Sequence, residues 1–565
     1  MHGVTFDPPA PAAADHPNRA DVALFVGFVH RRRGTLNGER TADASAAALR
    51  AQPARGLAEG ARTAGPSPLP REVWRWLHER GWASGPYART PRELRSLLDV
   101  PVPLESWEAF TRLFCPEMRR LDAEGARGMG YLAAAVRSFF EQGGRRCYVV
   151  RVGRPWRYTA GRARRMEKLD RLVPGWFAGL PPSKAARETW RGVAHLFGLP
   201  DVSFVCLPDL ADLVRPDPAP PEPLVPLPAT SEGFVVCSEP APATGGADPA
   251  WRRWPAPRVD RQGFAAWAQA VNVVGSMLRT HHREAHLLAA VPLPAPELVA
   301  DLAGGRVAAA DDLLGFLLEP RVGPGGRELP GLGLASAFVQ LAYPWVRTAA
   351  SGLLPEGLEP PDGVLAGVLA RNALVRGAYR SAAGLPLEGV WDLHPVLGRG
   401  QLLREHPYGA GAETRTLQDR VCVLGPTPAG FRLLSDVTTS DDENYRPAGV
   451  SRLVSALVRA ARVQGEDATF ESNGERLWAR LRERLDALLL GMLREGALRG
   501  ETVSDAFSVR CDRTTMTQND LDAGRVVAHV LFQPTAPVER ISVVLASETG
   551  GGLALRSAGG AREAA

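Results

Sequence analysis

Lysine is almost absent from this sequence of 565 residues, in which Lys168 and Lys184 are the only lysines among 67 lysine and arginine side chains. A phosphate-binding P-loop requires a lysine directly after a glycine-rich turn, and neither lysine lies in that context. The six cysteines are scattered, with no CxxC pair and no cluster with histidine, which argues against a zinc site or a disulfide framework. The GxSxG motif of the α/β-hydrolases is also missing. We therefore expect neither a metal nor a cofactor.

Long apolar runs are missing as well. No stretch of about 18 apolar residues is present, so we expect no membrane insertion. The first residues lack the basic and apolar regions of a secretory signal, which predicts assembly in the cytoplasm. The formal net charge is only +5, which is too weak and too dispersed to indicate a direct nucleic-acid partner.

The apolar residues that are present, 45% of the chain, alternate between strand-like and helix-like patterns. An apolar run at 21–29 predicts a buried strand, residues 129–142 repeat apolar side chains at helical spacing, and 145–152 predict a second buried strand. Further strands are predicted at 202–207, 287–291, 335–346, 421–424, 431–434, 507–511, 526–532 and 541–545, and further helices at 71–82, 106–114, 262–281, 362–376, 450–462 and 475–495. This order predicts an α/β (α+β) multidomain protein with a mixed sheet, loop-rich insertions and extended terminal arms.

Three groups of polar residues have the spacing of functional sites, and each also has a structural interpretation. Asp209 and Asp212 follow a predicted strand, as catalytic carboxylates of an α/β sheet do, although Asp209 equally suits a helix N-cap. His282 and His286 are spaced like metal ligands on a helix but lack the HExxH pattern. The acidic turn at 441–443 suits either a cation or solvent. No acid, base and nucleophile come together, so an α/β enzyme that uses Asp209 is the least favoured hypothesis.

Two long segments carry recognisable motifs. The first reads GYLAAAVRSFFEQGGRRCYVVRVG at 130–153, and the second runs from Phe470 through AFSVRCD at 506–512 to TQNDLDAGR at 517–525. Weaker motifs lie between them in a consistent order, at 202–210, 342–346 and 363–371. Together they resemble the sheath proteins of contractile phage tails and related contractile injection systems. The resemblance implies a structural protein without enzymatic activity.

The resemblance also predicts a division of the chain, with two insertions that depart from the family pattern. The predicted parts are an N-terminal arm at 1–20, a first part of the sheath core at 21–36 and 104–213, an insertion at 37–103, a proline-rich insertion at 214–261, the remainder of the central domain at 262–420, a C-terminal domain that faces the tube at 421–546, and a flexible tail at 547–565. The insertions leave the subfamily open.

The function implied by the resemblance is a subunit that polymerises as stacked hexameric rings around an inner tube and contracts to drive the tube through a target envelope. Its partners would be further copies, the inner tube protein, and the baseplate and terminal cap proteins of a phage tail or phage-tail-like particle. The alternative is a sheath-like terminal or baseplate-adjacent subunit of the same machine that does not polymerise extensively.

Two sets of contact residues follow from the resemblance. Terminal segments of sheath subunits add strands to neighbouring subunits, and both ends of this chain contain β-prone residues beside flexible flanks. The residues expected to take part are Val4, Thr5, Phe6, Ile541, Ser542, Val543, Val544 and Leu545. The candidate contacts to the tube are Arg480, Arg484, Arg510, Arg513 and Arg525. The polar residues at 518–522 suit a structural role in turns.

Overall fold

The structure is a computed structural model in which the chain forms two compact units, Met1–Ser472 and Asn473–Ala565. The first unit contains a large sheet with packed helices, and the second contains a long helix with short strands. The described residues are 20–32, 69–85, 88–122, 125–175, 181–217, 254–295, 321–322, 328–329, 334–407, 414–467, 471–522, 526–535, 543–547 and 553–557.

The described part of the first unit is organised around one sheet of eight strands. In chain order they are β1 (Ala23–Phe28), β2 (Pro101–Leu104), β3 (Cys147–Gly153), β4 (Phe204–Cys206), β5 (His286–Ala290), β6 (Val339–Tyr343), β7 (Cys422–Thr427) and β8 (Gly430–Leu433). Their spatial order is β8-β7-β6-β5-β4-β1-β3-β2. The six strands from β7 to β3 run parallel, whereas β2 and β8 close the two edges as antiparallel strands.

The central strands consist of continuous apolar segments because a parallel sheet is covered on both faces. Every residue of β1 and β3 is buried, including Arg151, whose guanidinium donates to the carbonyl oxygens of Val29 and Ser96. β1 pairs with β3 on one side and with β4 on the other. The chain therefore reverses its direction of strand addition at β1, which makes this strand the topological switch point of the sheet.

Eleven helices are described in the first unit. They are α1 (Arg71–Glu79), α2 (Pro91–Ser96), α3 (Trp107–Leu113), α4 (Tyr131–Glu141), α5 (Arg162–Met166), α6 (Leu169–Leu172), α7 (Leu210–Val214), α8 (Arg261–His281), α9 (Asp362–Val375), α10 (Arg399–Leu402) and α11 (Ala448–Asp467). The helix α4 contacts β1, and α9 contacts β4 and β5. None of the described helices is long and apolar enough to cross a membrane.

The contact between α4 and α9 is unusually close because it is made through glycine. A Cβ atom on Gly363 would lie 2.5 Å from the backbone of Ala135, and one on Gly367 would lie 2.6 Å from the carbonyl oxygen of Phe139. Real Cβ atoms do not approach other atoms this closely, so the two backbones meet only if both positions lack a side chain. The predicted helices at 129–142 and 362–376 are thus confirmed and form one packed pair.

The second unit is built on α12 (Glu475–Arg494), followed by α13 (Val503–Ala506), β9 (Phe507–Arg510), α14 (Gln518–Asp522), β10 (His529–Phe532), β11 (Val543–Ser547) and β12 (Leu553–Ser557). The apolar face of α12 buries Leu477, Trp478, Leu485, Leu489 and Met492. The helix contacts α13 and β9, and β9 pairs antiparallel with β10. The long amphipathic helix predicted at 475–495 is confirmed.

The structure differs from the sequence-based expectations in several places, and one is that Pro101–Leu104, most of which lies in the insertion expected at 37–103, is an edge strand of the large sheet. The predicted strand at 335–346 is interrupted at Pro344, which has no backbone N–H to donate, and Trp345–Arg347 pairs instead with Asp392–His394. The strands β7 and β8 extend the large sheet, so the compact units divide after Ser472 rather than at residue 421. Part of the tail that was expected to be flexible, Leu553–Ser557, forms a strand.

The close approach of α4 and α9 gives a direct prediction for G367A. The added methyl group meets the backbone of α4, so we expect a loss of about 1–3 kcal/mol in the free energy of unfolding, despite the better helix propensity of alanine. Outside its own helix backbone, no atom of the described residues lies within 4 Å of the position that a Cβ on Gly465 in α11 would take, so this glycine is the matched control. We expect G465A to raise stability by about 1 kcal/mol or less. Urea unfolding of both variants checks this, and equal effects would contradict the packing argument.

Candidate functional site

The carboxyl end of β1 is held by a buried carboxylate. Asp209 follows β4 and is 3% exposed, and its Oδ2 accepts a hydrogen bond of 2.7 Å from the backbone N–H of Phe28. A side chain on Gly27 would collide with the same oxygen, so glycine is required beside it. The side chain of Asp209 makes no cap bond to α7, and the N-cap interpretation is therefore wrong. Its carboxylate instead joins two neighbouring strands.

The space beyond Asp209 is filled by an ionic cluster, here named the Asp212 cluster and consisting of Arg119, Arg165, Asp212 and Arg215. Asp212 is 1% exposed and accepts from the guanidinium of Arg119 at 2.6 Å and from that of Arg215 at 2.8 Å. Arg165 donates to backbone carbonyl oxygens, including that of Leu213 at 3.3 Å. Arg119 also lies 5.5 Å from the ring centroids of Tyr131 and Tyr158.

The two aspartates have opposite protonation behaviour although both are buried. Burial raises the pKa of Asp209 to about 7, since the bond from Phe28 and the charge of Arg119 offset desolvation only in part. Burial would also raise the pKa of Asp212, but Arg119 and Arg215 together with Arg165 hold that pKa below its usual value. Asp212 is therefore an anion that balances the charge of buried arginines, and its two carboxylate oxygens accept hydrogen bonds from Arg119 and Arg215.

These contacts give no support to a catalytic role for Asp209 or Asp212. The carboxyl edge between β1 and β4 is where an open α/β sheet binds its ligand. Here the carboxylates at that edge are engaged by a backbone N–H and by two guanidinium groups. Both aspartates therefore have structural partners that account for their burial.

The other candidate groups also have structural partners. The helix α8 ends at His281, and His286 lies within β5, so His282 and His286 do not share a helix. His286 Nε2 lies 3.1 Å from Ser451 Oγ, and burial lowers the pKa of His286 to about 3. In the acidic turn, Asp441 pairs with Arg420 at 2.5 Å. The described residues contain no group of three or more side chains placed to hold a metal ion.

The predicted tube-contact residues lie on the second unit. Arg480 and Arg484 are exposed on α12, and Arg510 is exposed at the end of β9. Arg513 is exposed but engaged, because it donates to the carbonyl oxygen of Met516 and to Gln518 Oε1, both at 2.8 Å. Arg525 lies outside the described residues.

The sequence motifs did not single out Arg476, which the structure shows to be exposed one turn before Arg480. Arg476, Arg480 and Arg484 follow at spacings of four, so they form one basic stripe along α12. The four-residue spacing of these arginines is visible in the sequence and could have predicted the stripe. The turn residues Gln518 and Asp522 are joined by a hydrogen bond of 2.8 Å, in keeping with their structural interpretation.

The predicted strand-exchange residues are described only in part. Val4, Thr5, Phe6, Ile541 and Ser542 lie outside the described residues. Val543, Val544 and Leu545 belong to β11, which pairs antiparallel with β12 from Val543↔Ser557 to Ser547↔Leu553. In the part of the chain that is described, β9–β10 and β11–β12 are both two-stranded sheets. Each of these four strands therefore has one edge that is not hydrogen-bonded to a second strand within the described residues.

The raised pKa of Asp209 gives a prediction for D209N. An aspartate ordinarily has a pKa near 3.8 when unfolded, against about 7 here, so the folded state retains the proton between these values. The contribution of Asp209 to stability is therefore lost as pH rises from about 4 to about 7, by about 4 kcal/mol in total. The buried His282 and His286 give the opposite slope in both proteins. We therefore expect the difference in stability between D209N and wild type to shift in favour of D209N between pH 5 and pH 8. Thermal unfolding of both proteins at the two pH values measures this difference, and an equal difference at both would contradict the prediction.

Among the comparisons with known proteins, only the search of solved structures finds similar chains. No protein-family model matches the chain, and no curated protein matches it. A chain of the anti-feeding prophage baseplate in the contracted state is similar with a TM-score of 0.54 and 17% identity, over 97% of this chain and 99% of that one. A chain of the six-fold symmetrised anti-feeding prophage baseplate gives 0.51 and 17%, with the same coverage. The helical sheath of the anti-feeding prophage gives 0.47 and 18%, over 81% of this chain and 90% of that one. The chain therefore shares its fold with these two anti-feeding prophage baseplate chains.

Proposed function

We propose that the protein is a structural subunit of a contractile injection system, which assembles with copies of itself as stacked hexameric rings around an inner tube. The observation that carries the proposal is the similarity in fold to anti-feeding prophage baseplate chains, which extends over 97% of this chain. One of those baseplates is six-fold symmetrised. The assembly into rings around a tube is proposed because the sequence motifs resemble those of sheath proteins.

The proposed link between subunits is the addition of strands across chains. A strand with a free edge has a row of unpaired N–H and C=O groups, which a strand from another chain completes. The described residues of the second unit contain two such two-stranded sheets. We propose that residues Val4 to Phe6 and Ile541 to Leu545 provide these exchanged strands. Backbone pairing of this kind tolerates a change in subunit orientation if the flanking segments are flexible.

Contraction requires two packings of the same subunits, of which the extended one is metastable. An additional 200 Å² or so of apolar surface buried per subunit is worth on the order of 5 kcal/mol. Summed over many subunits, this free energy is sufficient to drive a tube through an envelope without a nucleotide. The absence of a P-loop motif from the sequence is in keeping with this source of work.

A second candidate function is a sheath-fold subunit next to the baseplate that does not polymerise extensively. The observation that favours it is that both whole-chain similarities are to chains from baseplate structures. The two candidates share the fold and the strand addition and differ in the length of the assembly. Electron microscopy distinguishes them directly.

The assembly is tested by negative-stain electron microscopy of the purified full-length chain and of truncated chains. We expect long hollow tubes from the full-length chain, and their loss when residues 1–15 or 541–565 are deleted. Deletion of 558–565 removes the same terminus but leaves β11 and β12 intact, so tubes should persist in this control. Single rings from the full-length chain would favour the baseplate-adjacent subunit, and monodisperse particles from every sample would contradict both candidates.

The proposed tube contact is tested on the basic stripe of α12. The double variant R480E/R484E reverses two exposed charges, so we expect it to lose co-sedimentation with the co-expressed inner tube protein while it still assembles. Arg494 and Arg499 are exposed in the same unit but lie outside the stripe, and R494E/R499E, which changes the net charge by the same amount, is the matched control. An equal loss in both variants would show that net charge rather than the stripe determines the contact.

A further inference from the structure

An open cavity lies just after β3 in the first unit. Its polar and cationic lining comes from the loop that follows this strand and from the helix α5 and the residues after it, and consists of Trp156, Arg157, Thr159, Arg164 and Lys168. The cavity is separate from the Asp212 cluster, none of whose members line it. The sequence motifs did not indicate it.

The position of the cavity is that of a ligand site in an open α/β sheet. The ring of Trp156 packs against Phe28, the last residue of β1, with 5.0 Å between the ring centroids. The cavity therefore lies beyond the carboxyl ends of β1 and β3, beside the switch point. Asp209 and the Asp212 cluster fill the corresponding edge between β1 and β4, so among the described residues the cavity lies on the open side of the switch point.

The cavity presents hydrogen-bond donors and positive charge. Arg157 and Arg164 are exposed and form no ion pair within the described part of the chain. Lys168 Nζ lies 5.6 Å from the ring centroid of Trp156 and donates to the carbonyl oxygen of Arg154 at 3.3 Å. Trp156 itself is buried, at 7% exposed, so Arg157, Arg164 and Lys168 are the residues whose charged groups line the cavity.

The acidic groups near the cavity do not neutralise these cations. Asp217 accepts from the backbone N–H of Arg162, and Asp260 is paired with the guanidinium of the same residue at 2.8 Å. Burial, and then Arg171 and Arg164, lower the pKa of Lys168, and Glu167, which acts in the opposite direction, does not reverse this shift. Positive charge therefore exceeds negative charge around the cavity among the described residues.

We propose that this cavity binds the carboxylates of an acidic peptide segment from another protein chain. Arginine binds carboxylates through paired hydrogen bonds, and two arginines and one lysine around an open cavity suit several carboxylates at once. A single-stranded nucleic acid is less well matched, because its bases stack on exposed aromatic rings and the ring of Trp156 is buried. The site is independent of the proposed function, since it belongs to the single subunit.

The experiment measures the binding of fluorescently labelled hexaglutamate to the full-length protein by anisotropy. We expect saturable binding that weakens about tenfold in R157Q/R164Q, because two charge pairs are removed. The control R75Q/R92Q changes net charge equally at two exposed arginines elsewhere in the unit, and it should bind like the wild type. Thermal unfolding confirms that each variant is folded, and the single variant R157Q, with an intermediate loss, gives a second test.

Competition experiments identify the class of ligand that the cavity binds. Hexaglutamine should not compete, whereas unlabelled hexaglutamate should displace the probe. Displacement by equimolar inorganic phosphate would identify a small-anion site, and displacement by equimolar oligothymidylate would identify a nucleic-acid site, and either result overturns the peptide proposal. An equal loss of binding in R75Q/R92Q also overturns it, because binding would then depend on net charge alone. None of these outcomes alters the proposed assembly role.

Discussion

The hydrogen bond from the backbone N–H of Phe28 to the carboxylate of Asp209 fixes the centre of the sheet. It joins the end of β1 to the residue that follows β4, at the point where the order of strand addition reverses. Gly27 is required for the close approach, and the Asp212 cluster fills the space behind it. Because its pKa is raised to about 7, Asp209 is a neutral carboxylic acid below neutral pH, where it satisfies the backbone without adding a second buried anion beside Asp212.

The carboxyl edge of the sheet therefore has two different sides. Between β1 and β4, buried arginines are balanced by Asp212 and by backbone carbonyl oxygens, so the edge is closed. Beyond β1 and β3, Arg157 and Arg164 are exposed and form no ion pair within the described part of the chain. The same residue type, arginine, stabilises the interior on one side and provides a recognition surface on the other, because its charge persists when it is buried.

The sequence predicted the elements whose signal is local. The apolar run that forms β1, the helical spacing in α4 and the buried segment of β3 are contiguous, and their patterns arise from burial on both faces or on one face. The order of the apolar patterns predicted a mixed sheet with packed helices, which the structure confirms. The partner of Asp209 could not be predicted, because Phe28 lies 181 residues earlier and only the folded sheet brings them together. The division after Ser472 was missed for a similar reason. The apolar patterns of β7 and β8 are local in the sequence, but their pairing with the large sheet depends on contacts between distant residues.

Because lysine is rare in this chain, the cavity can be modified selectively at Lys168. Lys168 is one of two lysines in the chain and lines the cavity, whereas the surrounding cations are arginines that amine-specific acylating reagents leave untouched. Its lowered pKa, which burial and neighbouring arginines cause, increases the fraction of free amine at a given pH. Lys184 provides an internal reference in the same unit. Acylation at these two amines, compared within one peptide map, reports directly on whether a segment shields the cavity in an assembled particle.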